Sequence, residues 1–187
     1  MIRNMSILIS LLFSFILVIG ETAFSQEITD VYSNTKYGIS FTIPKGMRLY
    51  TAENPGSLAS QISSDTPLIL VNLGFTEENI NVQALENLSE SDLIGLKKIL
   101  DENPKQYTSL PQYKRISVNS IKIGKQKNKN AVEHIYIMKG NVLGKLRQIT
   151  FVHKSRGFIF TCATAVDRFD NANQQLFDPI FTSMNFK

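Results

Sequence analysis

The chain has 187 residues, 43% of them hydrophobic, with 20 Lys and Arg against 16 Asp and Glu, a net charge of +4. That length suits one hydrophobic core, and the mild basic excess falls far short of the clustered charge of a dedicated nucleic-acid binder. A single cysteine, Cys162, excludes an intramolecular disulfide and any metal centre built on several thiolates.

The N-terminus reads as an export signal. Arg3 precedes an unbroken apolar or small stretch from Ile7 to Ile19, followed by Gly20 and by Ala23-Phe24-Ser25, with small residues where a signal peptidase reads. Cleavage is expected after Ser25. As a helix the stretch reaches about 20 Å, short of the roughly 30 Å hydrocarbon core that a spanning helix crosses. No cysteine stands directly after the signal, so lipid attachment there is not expected. The mature domain, residues 26–187, keeps a net charge of +4 because the signal removes one basic and one acidic residue, Arg3 and Glu21. It is expected in the periplasm or secreted, without a stable membrane span.

Residues 26–35 are polar and read as a flexible or edge-pairing lead-in. In 36–44, KYGISFTIP, the apolar residues Tyr37, Ile39, Phe41 and Ile43 alternate with smaller or polar ones, a period-2 strand closed by Pro44 and the Lys45-Gly46 turn. Short strands are expected at 47–52 and, as a run buried on both faces, at 67–75. Ser89 supplies a hydroxyl cap, Glu90 and Asp92 acidify the first turn, and Leu93, Leu96, Ile99 and Leu100 follow at helical spacing until Asn103-Pro104.

Strand follows strand from 113 to 164, at about 113–124, 131–139, 142–153 and 157–164, with links short enough to imply antiparallel pairing. Gly140-Asn141 reads as a two-residue hairpin turn. That register sets His134 opposite Arg147 and His153 opposite Asn128, with both imidazoles on one face about 20 Å apart, too far to share a metal. Beyond the strands, Phe169, Ala172, Leu176, Phe177, Ile180, Phe181 and Met184 form one helical stripe, and Asp178-Pro179 reads as the cap and first residue of a second short helix. The order predicts an α+β domain in which helices cover an antiparallel sheet of about six or seven strands.

Three stretches, KYGISFTIPKGM at 36–47, KLRQITFVHKSRGFIFTCAT at 145–164 and FDPIFTSMNF at 177–186, resemble the PsbP-like family. That resemblance implies an α/β/α sandwich around a twisted antiparallel sheet, no general enzymatic chemistry, and service as an accessory or assembly factor. It spans nearly all of the mature chain, but through core and turn residues that carry fold rather than activity.

Candidate chemistry is sparse. Cys162 lies in the aromatic strand FIFTCAT and reads as a buried, inert thiol. No G-x-S-x-G elbow, Walker loop or G-x-G-x-x-G loop occurs, and no cofactor is expected. The best functional hint is KIGKQKNKNA, in which Lys122, Lys125, Lys127 and Lys129 would project from one hairpin end as a docking point for an acidic envelope protein or an anionic polymer, or simply keep an edge loop soluble. The expected function is that of an exported, non-enzymatic binding or accessory protein. A carrier with a cleft between sheet and helices for a small apolar or anionic ligand is the alternative, and a hydrolase with an unrecognised site is a third reading.

Overall fold

A computed structural model describes residues 31–44, 48–51, 71–74, 79–86, 88–102, 112–139 and 143–187. The segment read as an export signal lies outside these residues, as do the 67–70 portion of the run at 67–75 and the turn at 45–46.

Among the described residues, ten strands form two antiparallel sheets. Strands β1 (Val31–Asn34), β2 (Ile39–Thr42) and β10 (Asn185–Phe186) make the smaller one, in the order β1-β2-β10. The larger has seven strands in the order β3-β4-β5-β9-β8-β7-β6. Its members are β3 (Arg48–Thr51), β4 (Val71–Gly74), β5 (Asn79–Glu86), β6 (Lys114–Ile123), β7 (Lys129–Lys139), β8 (Leu143–His153) and β9 (Arg156–Ala165). Residues 31–34 of the lead-in thus pair along β2, the edge-pairing outcome.

Period-2 alternation on β7, β8 and β9 divides the core in two. Odd positions of β7 and β8 and even positions of β9, among them Ala131, Ile149, Phe151, Phe158, Phe160 and Cys162, join Tyr37, Ile39 and Phe41 of the small sheet and Phe169, Phe177, Ile180 and Phe181 of the C-terminal segment. The opposite parity, Val132, Val152 and Ile159, meets Leu93, Leu96 and Leu100 of helix α1 (Glu90–Glu102). Helices therefore lie on both faces of the sheet, and the fold is the α+β domain that the pattern predicts, arranged as the α/β/α sandwich that the resemblance implies.

Both ends of α1 are tied by side chains. The Asp92 amide donates to Ser89 Oγ at 3.3 Å, and the Ser89 amide donates back to the Asp92 carboxylate at 2.9 Å, a reciprocal cap. At the other end Arg115 of β6 donates to the carbonyls of Leu100 at 2.8 Å and Asp101 at 2.5 Å, placing a cation on the negative end of the helix.

Two expectations are corrected. Lys139 pairs with Leu143, so three residues rather than two separate the paired ends of the β7–β8 hairpin. The register shifts by one and His134 stands opposite Gln148 instead of Arg147. Because a one-residue slip exchanges faces, His134 points to the α1 side and His153 to the other, where it meets Phe186 with ring centroids 5.3 Å apart.

The second correction concerns Asp178. It starts helix α3 (Asp178–Ser183), but no helix break precedes it: helix α2 (Phe169–Ala172) runs on through a π turn, Asn173–Phe177, with Phe177 itself in helical geometry. The Asp178 carboxylate is engaged with the sheet instead of capping.

Candidate functional site

Two polar assemblies stand out from this frame. One is buried and ties the C-terminal helices to the sheet. Arg147 on β8 is 8% exposed; its Nε donates to Glu133 Oε1 on β7 at 2.8 Å and one terminal nitrogen donates to Asn173 Oδ1 at 2.7 Å and to Asp178. The Asn173 amide also donates to Asp178 at 3.3 Å, the Asn119 amide to Glu133 at 3.1 Å, and the guanidinium lies 5.2 Å from the Phe181 ring centroid. Burial works against the Arg147 charge, but the hydrogen bond to Asp178 and the two carboxylates outweigh it and hold the cation firmly protonated. Cys162, directly across the ladder from Arg147, is fully buried, and burial pushes its thiol well above the usual range.

On the opposite face His134, 1% exposed, shares a hydrogen bond of 3.0 Å with the Tyr113 hydroxyl and stacks on Tyr136 with centroids 4.5 Å apart. Burial, assisted by the Arg115 charge, pulls the imidazole down to about 4, so it is neutral and a weak base near pH 7. Burial raises the Tyr113 and Tyr136 hydroxyls, the reverse of activation.

The second assembly is a basic end of the sheet. The β6–β7 turn (124–128), the β8–β9 turn (Lys154-Ser155), the turn ahead of β2 (35–38) and the C-terminal strand all meet there. The Gly124 amide donates to the Phe181 carbonyl, the Lys125 amide to that of Met184 and the Lys187 amide to that of Gly38, each at 2.9 Å. Gly38 has φ +66, and a Cβ there would stand 2.6 Å from the Lys187 carbonyl oxygen and 2.7 Å from Lys154 Nζ; only glycine permits that approach. Gly124, at φ +90, admits the Phe186 ring in the same way.

Of the four lysines singled out from the sequence, Lys125 and Lys127 occupy the turn and are exposed. Lys122 and Lys129 are strand residues on opposite faces, since Lys129 pairs with buried Ile123 and its Nζ lies 5.6 Å from the Phe186 centroid. Three further lysines, Lys36, Lys154 and Lys187, come to this end from distant sequence. Lys36 Nζ lies 5.4 Å from the Tyr37 centroid, and Arg156 approaches the same ring at 5.1 Å. Burial lowers the pKa of His153, as do the charges of Lys129 and Lys154, which marks those two cations as near neighbours. Among the described residues, Lys36, Lys125, Lys127, Lys129 and Lys154 have no carboxylate within ion-pair distance, whereas Lys97, Lys98 and Lys145 elsewhere each do.

No family model matches the chain, and no curated protein matches it. Solved structures do. Cyanobacterial PsbP (CyanoP) from Synechocystis sp. PCC 6803 is similar with TM-score 0.58 and 16% identity, over 90% of this chain and 99% of that one. A protein from Bacteroides thetaiotaomicron is similar with TM-score 0.53 and 9% identity, over 84% of this chain and 48% of that one. At such identities the likeness is one of fold, and the fold that the three sequence stretches resemble, the PsbP-like sandwich, is the fold of this chain.

Proposed function

We propose that this is an exported, non-enzymatic accessory or binding protein of the bacterial envelope, which docks on an acidic partner through its basic end. The observation that carries the reading is the convergence of three turns and the C-terminal strand on one cluster of lysines without carboxylate partners among the described residues. Such a surface attracts anionic partners and loses them to salt, because screening acts on the same potential. The non-enzymatic part is supported by how the reactive groups are used: the Cys162 thiol is sealed and raised, the His134 imidazole is sealed and weakened, and His153 Nε2 is bonded to the Lys187 carbonyl at 3.2 Å. Export is supported by residues 1–25, and the mass of the released protein is expected to place its N-terminus at Gln26.

The test is affinity capture from envelope extracts with the released protein and with a variant carrying Lys122→Gln, Lys125→Gln, Lys127→Gln and Lys129→Gln. Loss of an acidic partner both in the variant and in high salt is expected. Capture unchanged by both would overturn docking through this end.

A further inference from the structure

We propose that the ligand of the basic end is the phosphate headgroup layer of an anionic lipid surface, on which the domain stands with its strands steeply inclined to the bilayer. This inference rests on the docking reading above and names its partner. The cations are presented on turn tips drawn from separate parts of the chain, and all but Arg156 are lysines. Flexible point charges suit a fluid layer of headgroups, whereas recognition of fixed carboxylates favours the forked geometry of arginine.

Backbone geometry supplies a second, independent observation. Lys127 has φ 48 and Lys154 has φ 49, both in the left-handed region where glycine and asparagine are the favoured residues. Lys154 and Ser155, at φ 49 and φ 58, are the two residues between the paired His153 and Arg156, a turn for which Asn-Gly is the preferred sequence. Charge is kept at these tips against the local preference of the backbone, and strain of this kind points to a use for the side chain.

The test is co-sedimentation of the released protein with vesicles of phosphatidylcholine alone and of phosphatidylcholine mixed equally with phosphatidylglycerol. Binding to the mixed vesicles alone, reversed by salt, is expected. Each lysine lost should weaken partitioning about fivefold, so Lys125→Gln, Lys127→Gln and Lys154→Gln together should weaken it about a hundredfold. A control with the same change in net charge, Lys97→Gln, Lys98→Gln and Lys139→Gln, should keep most of the binding. Equal binding to neutral vesicles, or equal weakening in the control, would overturn the proposal. If the protein ignores both vesicles but is retained on immobilised polyglutamate through the same three lysines, the lipid inference falls while docking on an acidic partner stands. Failure on both supports overturns the two together.

Discussion

Replacing Arg147 by Met removes the cation that two carboxylates share. Asp178, with its side chain 47% exposed, can turn to water and loses little. Glu133 cannot: it is 8% exposed, and its remaining donor is the Asn119 amide at 3.1 Å. Breaking a buried pair by deleting one member typically costs about 3–5 kcal/mol, because the surviving charge stays desolvated. Met refills much of the volume beside Phe181, so the lower part of that range, about 3 kcal/mol, is expected, out of a total stability on the order of 5–15 kcal/mol. Adding Glu133→Gln removes the stranded charge and should restore about 2 kcal/mol. Urea unfolding followed by circular dichroism at neutral pH measures all three variants on one scale. Hydrogen exchange should also show residues 169–183 losing protection first, since the clasp ties that segment to the sheet. A loss below about 1 kcal/mol in Arg147→Met, or a double variant as unstable as the sum of its parts, would refute the desolvation argument.

Three further outcomes follow from the same structure. His134 is neutral when folded and its pKa of about 4 lies below the ordinary 6.5, so the unfolded chain binds the extra proton first. Its contribution to stability is fully present above that ordinary value and falls with pH, by about 2 kcal/mol between pH 7 and pH 5; His134→Gln should flatten this part of the unfolding profile, and an unchanged profile would contradict the burial. Cys162 should react with a thiol reagent slowly in the native protein and fast once unfolded, and rapid labelling of the folded state would show an accessible thiol. Lys154→Asn with Ser155→Gly should stabilise the domain by about 1 kcal/mol while weakening vesicle binding, and a drop in melting temperature would show that the turn is not strained.

Strands and helices with strong periodicity are legible in the sequence. The alternation of Tyr37, Ile39, Phe41 and Ile43 and the Leu93, Leu96, Leu100 stripe are buried as their spacing implies. β5 falls where no strand is expected, because its apolar residues Ile80, Val82 and Ala84 alternate with Asn and Gln directly before a helix cap. β10 has two residues, too few to show any period. The register was the costly uncertainty. One extra residue between Lys139 and Leu143 moves His134 away from Arg147 and turns Arg147 toward Glu133 and the C-terminal helices. A buried pair of opposite charges on the same parity as Ile135 and Ile149 is the signal that would have located the clasp. The basic end was half legible: four lysines fall within eight residues of sequence, whereas Lys36, Lys154 and Lys187 join them only through folding.

The central claim, that the basic end is the docking surface, is tested most directly by photo-crosslinking in living cells. A photoreactive residue at Gln126, between Lys125 and Lys127 on the exposed turn, is compared with one at exposed Leu143, at the far end of the sheet. The account predicts adducts from position 126 that disappear when Lys125, Lys127 and Lys154 are replaced by Gln, and few from position 143. Adducts that form at 143 and not at 126, or that survive loss of the three lysines, would contradict it.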